Sequence, residues 1–182
     1  MKSHKIMKFA LVFALILSMA TPFIANAQIS NAMTVVQELP RTATVIRVVD
    51  GDTIVIKLDD GSSGKVRLIG IDTPESVHTD ASRNTKWGKK VSNYTKKKLT
   101  GKKITLEYDK DLYDPYGRVL AYVYLDGKMY NKTLLKKGYA RAVYYAPNGK
   151  YKKSFNKLQK TAKKKHKGFW KKGEYKKAFP NG

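Results

Sequence analysis

The chain contains no cysteine, and that one absence removes several chemistries together. It leaves no disulfide framework, no lipid-modified cysteine anchor, no thiol nucleophile and no thiolate site for zinc. Histidine is almost as scarce, with three residues. His4 lies in the N-terminal segment, His166 in a lysine run, and only His78 near an acidic group. A paired-histidine ribonuclease mechanism is excluded on that count. With no evident serine–histidine arrangement, covalent catalysis is disfavoured as well. Long apolar runs are also missing. Phe9–Ala20 covers 12 residues, short of the about 20 needed to span a bilayer, so no stable membrane anchor is expected. Acid is the last deficiency. Fourteen Asp and Glu stand against 37 Lys and Arg, a formal net charge of +23.

Lys2, Lys5 and Lys8 precede the apolar run, and Ala25-Asn26-Ala27 follows it as a small-residue cleavage site. Residues 1–27 therefore read as a secretory signal peptide, and the protein as secreted. Cleavage takes three lysines and no acid from the charge of +23, leaving +20. Such an excess calls for a polyanionic partner: nucleic acid, an anionic cell-wall polymer or an anionic membrane. The second of these would leave the secreted protein associated with the cell wall. Residues 28–41 lack periodicity and read as a flexible leader or pro-segment. What remains is enough for one core and one domain, and a monomer is expected.

From Thr42 the texture changes. β-Branched runs at 44–49 and 53–58, then 65–69, are separated by Gly-containing turns and predict three antiparallel strands. Residues 84–99 carry Trp87, Val91, Tyr94 or Thr95, and Leu99 near helical spacing, which predicts a basic amphipathic helix ended at Gly101. Strands follow at 104–108 and 119–125. Asn131 is expected to cap a short helix reaching Gly138, and a last helix is expected over 151–167 with Phe155, Leu158 and Ala162 inward. The fold class is α+β: a five-stranded barrel of the oligonucleotide-binding (OB) type with three helices. Its boundaries are 42–170, with 171–182 as a basic tail.

Seven of the 14 acids fall between Asp50 and Asp80. Carboxylates oppose polyanion binding unless something cationic neutralises them, and a hard ion held by oxygen ligands is the simplest candidate. Asp50-Gly51-Asp52-Thr53 is by itself ordinary turn chemistry. Asp72-Thr73-Pro74-Glu75 directly follows the third strand, so both groups can lie at one end of the sheet. Asp52 and Asp72 can then share a Ca²⁺, with a backbone carbonyl and waters completing the shell. Pro74 holds Thr73 extended. Arg67 and Arg118 are two of only six arginines against 31 lysines, and guanidinium forks match phosphate oxygens bidentately. Glu75 is the best-placed base near the metal group.

Val-Asp50-Gly-Asp52-Thr, Arg67-Leu-Ile-Gly-Ile-Asp72-Thr-Pro-Glu75, Tyr116-Gly-Arg118 and Leu120-Ala-Tyr-Val-Tyr, in that order, resemble the staphylococcal-type thermonuclease family over residues 42 to about 170. The resemblance implies a Ca²⁺-dependent nuclease acting on DNA and RNA, cleaving the bond from phosphorus to the 5′ oxygen and leaving 3′-phosphate ends. It implies Asp52, Asp72 and the Thr73 carbonyl as metal ligands, Arg67 and Arg118 on the scissile phosphate, and Glu75 as the base. Asp50 is expected to support the metal loop, and Tyr116 with Tyr144 or Tyr145 to contact the nucleotide. Two departures stand out: Pro115 occupies the family's usual lysine position, and Ala142–Pro147 is one residue shorter than the family pattern. The alternatives to catalysis are a non-catalytic nucleic-acid-binding OB module and a wall-retained polyanion-binding protein.

Overall fold

The β-branched runs pair as the turns between them dictate. The structure is a computed structural model that describes residues 41–181; the expected signal peptide, and the expected leader apart from Arg41, lie outside the described residues. Strands β1 (Thr42–Asp50), β2 (Thr53–Lys57) and β3 (Ser63–Leu68) form an antiparallel meander. A two-residue strand β4 (Ile71–Asp72) follows. β5 (Lys103–Glu107) pairs with β1, and β6 (Val119–Leu125) with β5, both antiparallel. β6 then meets β3 in parallel register, with Val66 opposite Val119 and Arg67 opposite Leu120. That last pairing closes a five-stranded barrel. Closure needs strong coiling, and β1 supplies it through irregularities at Val45/Arg47 and Val48/Asp50. The second irregularity lies directly before the acidic turn.

Helix α1 (Lys86–Leu99) is capped by the Thr85 hydroxyl, which accepts from Gly88 N–H at 2.9 Å. Val91, Thr95 and Leu99 form its buried stripe. After β7 (Lys128–Met129), helix α2 (Tyr130–Lys137) runs to Gly138. Asn131 is not its cap. It lies inside the first turn, fully buried, accepting from Val123 N–H at 3.0 Å and donating to the Ile69 carbonyl at 2.9 Å. The barrel offers those two unsatisfied backbone groups, and burying the amide there satisfies three polar groups together. β8 (Arg141–Ala142) pairs with β4, and α3 (Lys152–Lys164) packs Phe155 and Ala162 inward with Leu158 half-buried.

The barrel core is apolar, with Val45, Ile54, Val66, Ala121 and Val123 wholly buried; each large side chain contributes roughly 1.5–3 kcal/mol by burial. A second cluster gathers Phe169, Ala178 and Phe179 against Trp87, Trp170 and Tyr175. Residues 171–182 were expected as a basic tail. Within that stretch a short helix α4 (Glu174–Ala178) forms, because its aromatic residues have this cluster to enter. Glu174 ties it to α1 by accepting from Trp87 Nε1–H at 2.8 Å. Among the described residues no helix is long and apolar enough to cross a membrane.

Candidate active site

The acidic turn and the end of β3 come together because of strand register. Thr53 pairs with Arg67 across β2 and β3, so Arg67 stands beside Asp52. Gly51 is required here by close approach: a Cβ would lie 2.7 Å from both Thr73 Oγ1 and Val91 Cγ1. The turn is also supported from the helices. Tyr130 donates to Thr95 Oγ1 at 3.1 Å, and Thr95 donates to the Gly51 carbonyl at 3.1 Å.

Asp52 is buried, and its Oδ2 accepts from both Thr73 N–H and Thr73 Oγ1–H at 2.8 Å. Its Oδ1 forms an ion pair with Arg67 Nη1 and accepts from Thr53 Oγ1–H at 3.3 Å. Arg67 Nη2 also reaches Asp72 Oδ1 at 3.4 Å. Burial, and then the charge of Asp52, push the Asp72 carboxyl up, while Arg67 and Arg141 pull it back. Burial favours the neutral guanidine of Arg67, but Asp52 and Asp72 outweigh it and raise its pKa. Asp50 stands behind the pair. It accepts from Gly51 N–H at 2.7 Å and Ser76 Oγ–H at 2.8 Å, joining the turn to the loop after Glu75. Burial and the nearby Asp52 push its pKa up to about 7.

The carboxylates at this turn are held close together, with burial and the charge of Asp52 raising the proton affinity of Asp50 and Asp72, and the groups that could ligate an ion here are all oxygen. Among the described residues no group of three or more His, Cys, Asp or Glu could hold a metal. The set that the resemblance implies, Asp52, Asp72 and the Thr73 carbonyl, is all oxygen, which suits a hard cation that keeps several waters. The residues fit such an ion.

Glu75 is half-buried, and its carboxylate has no hydrogen-bond or ion-pair partner among the described residues. Its backbone is fixed instead. The Glu75 carbonyl accepts from Thr85 N–H at 2.9 Å, and helix α1 comes so close that a Cβ on Gly88 would lie 1.8 Å from that oxygen. Arg118 arrives from the loop before β6. It donates from Nε to Asp114 Oδ2 at 2.6 Å and from Nη1 to Thr53 Oγ1 at 3.4 Å. Burial raises the Asp114 carboxyl, but its bonds from Arg118 outweigh that and hold it below its ordinary range.

Two cavities flank Arg67. One, of about 530 Å³, has Leu68, Ile71 and Leu120 on its lining together with Tyr116, Arg118 and Tyr145. The other, of about 310 Å³, is lined by Asp72, Thr73 and Glu75 with Arg83, Arg141 and Tyr145. Tyr116 and Tyr145 are 84% and 70% exposed, so their rings are free to stack on a base. Tyr144 lines neither cavity; it packs against Gly149, with Lys152 Nζ 3.8 Å from its ring centroid. Of the residues expected from sequence, the fold gathers Asp52, Arg67, Asp72, Thr73, Glu75, Tyr116, Arg118 and Tyr145, and leaves Tyr144 aside.

Arg141 carries no role in the sequence reading. It donates from Nε to Asp72 Oδ2 at 2.8 Å and from Nη1 to the Tyr175 hydroxyl at 3.2 Å. Its guanidinium also lies 4.2 Å from the Phe179 ring centroid. The only signal in the sequence was its type, an arginine in a lysine-rich chain.

The family model described as staphylococcal nuclease homologue matches residues 65–172. A thermonuclease of Staphylococcus hyicus is 47% identical over 130 residues, which is 71% of this chain and 76% of that protein. A thermonuclease of Staphylococcus intermedius is 49% identical over 126 residues, 69% of this chain and 74% of that protein. Endonuclease YncB of Bacillus subtilis (strain 168) is 40% identical over 134 residues, 72% of this chain and 63% of its own length.

Proposed function

The chain belongs to the staphylococcal nuclease homologue family, and from that premise we propose a secreted, Ca²⁺-dependent nuclease. It hydrolyses phosphodiester bonds of DNA and RNA at the 5′ oxygen and leaves 3′-phosphate ends. The observation that carries this reading is the unpartnered Glu75 carboxylate beside Asp72, with Arg67 between it and Arg118. A base with a free lone pair lines one cavity beside Arg67, and a second cation, Arg118, lines the other.

Asp52, Asp72 and the Thr73 carbonyl would hold Ca²⁺, which supplies polarisation of a phosphoryl oxygen and charge neutralisation when bound. Glu75 takes a proton from the water that attacks phosphorus. Arg67 and Arg118 hold the phosphoryl oxygens and stabilise the charge that builds on them. The bond to the 5′ oxygen breaks on the Arg118 side, and the departing alkoxide takes its proton from solvent, since an arginine does not give one up. The chain of lysines along the exposed face of α3 supports sequence-blind contact with the phosphate backbone. The same surface supports retention on an anionic wall polymer as a second property. The full Arg67, Glu75 and Arg118 set disfavours a non-catalytic OB module.

The test is end-group analysis of DNA and RNA oligonucleotides digested in Ca²⁺. Both should be cut, giving 3′-phosphate and 5′-hydroxyl ends. Products carrying 5′-phosphate would overturn the assignment of the departing oxygen.

A further inference from the structure

We propose that the smaller cavity is a second nucleotide subsite, holding the strand that keeps the phosphate after cleavage, with the C-terminal segment as one wall. This rests on the nuclease reading above and adds to it where the substrate chain runs. The two cavities meet at Arg67 and Tyr145, which line both. Arg118 belongs only to the larger one and Glu75 only to the smaller. In-line displacement sets the attacking and departing oxygens on opposite sides of phosphorus. With Glu75 as base, the departing nucleoside occupies the larger cavity, over Leu68 and Leu120. The retained 3′ oxygen lies off the axis of displacement, and the smaller cavity adjoins Arg67 directly.

The smaller cavity is equipped for an anionic occupant. Arg83 is exposed at its rim, and Arg141 is fixed by Asp72, Tyr175 and Phe179. Arg67 and Arg141 engage Asp72, and with Arg83 three guanidinium groups face two carboxylates, Asp72 and the unpartnered Glu75, on this lining. Its volume of about 310 Å³ lies at the small end of the range of ligand sites. The far wall is Ala178–Asn181. Phe179 anchors that wall by packing edge-on against Phe169, with centroids 5.3 Å apart, while Pro180 and Asn181 are exposed. The wall thus stands on its own aromatic base beside the site.

Two substrates releasing the same thymidine separate this subsite from the chemistry. One is thymidine 5′-(methyl phosphate), with only a methyl on the retained side. The other is 5′-phosphorylated dithymidylate, with a full nucleotide and its phosphate there. With Ca²⁺ present, kcat/KM for the dinucleotide should exceed that for the methyl ester by about tenfold or more, as one charged phosphate contact allows. Arg83→Gln, and a chain ending at Phe179, should each cut this ratio to about threefold or less; Arg83, Pro180 and Asn181 are exposed. Equal kcat/KM on the two substrates in the unaltered protein would overturn the subsite, as would a full ratio kept by both variants. Cleavage of neither substrate while plasmid DNA is cut would overturn the subsite alone, and plasmid DNA left intact as well would overturn the nuclease reading with it.

Discussion

Asp72 and Arg141 face each other as a cross-strand pair of β4 and β8, joined by a 2.8 Å hydrogen bond from Nε to Oδ2. The pair couples a candidate metal ligand to the C-terminal segment, because the same guanidinium also holds Tyr175 and lies over Phe179. Arg141→Met keeps the length and removes all three interactions. A charge-assisted bond at a partly buried site contributes roughly 1.5–3 kcal/mol, so chemical denaturation should show a loss of about that size. A loss within about 0.5 kcal/mol, the range of ordinary surface changes, would show that the coupling is not energetic.

Gly88→Ala reverses an ordinary expectation. In an exposed helix the change stabilises by about 1 kcal/mol. Here the new Cβ would lie 1.8 Å from the Glu75 carbonyl oxygen, and such overpacking costs roughly 1–3 kcal/mol. The melting temperature should fall, and turnover should fall with it as Glu75 is displaced. A rise in melting temperature would mean that α1 does not fix Glu75.

Glu107 sets a pH dependence away from the site. Burial raises its pKa, but bonds from Lys150, Tyr124 and Tyr151 outweigh burial and lower it. The Lys150 and Tyr151 contacts are 2.6 and 3.0 Å. A depressed carboxylate stabilises the fold fully above its unfolded pKa of about 4.3 and loses that contribution as pH falls through the folded value. Glu107→Gln should therefore be less stable at pH 7, and its gap from the unaltered protein should narrow below about pH 4. A gap that widens with acid would contradict the sign.

Lys157, Lys160 and Lys164 are exposed on α3, at spacings of three and four residues that put them on one face. Replacing all three with glutamine should weaken DNA binding about equally across sequences. The slope of log affinity against log salt should become shallower by about 0.9 for each phosphate that is no longer neutralised. An unchanged slope would remove this face from the nucleic-acid path.

The barrel was legible because its first three strands are β-branched runs separated by Gly-containing turns, and the acidic motifs could be brought together because two turns fall at one sheet end. What stayed hidden depended on packing between distant segments. β4 and β8 have two residues each, too few to show any period, so the Asp72–Arg141 pairing left no trace. Asn131 carried the residue type of a cap, yet the barrel's free Val123 N–H and Ile69 carbonyl drew it inside. Lysines between Tyr175 and Phe179 hid an aromatic segment that folds only because Phe169 and Trp87 receive it. Tyr144 and Tyr145 are neighbours of one type, and only the backbone's course shows that Tyr145 borders the cavities.

The central claim is that two carboxylates and a carbonyl hold a hard ion on which cleavage depends. The direct measurement is hydrolysis of plasmid DNA and of RNA by the purified protein in excess chelator, and again after Ca²⁺ is restored, with Glu75→Gln run alongside. The account predicts no cleavage in chelator and recovery with Ca²⁺. It also predicts turnover roughly 10²–10⁴-fold lower for Glu75→Gln under the restored condition. Full activity in excess chelator, or near-normal turnover without the Glu75 carboxylate, would contradict it.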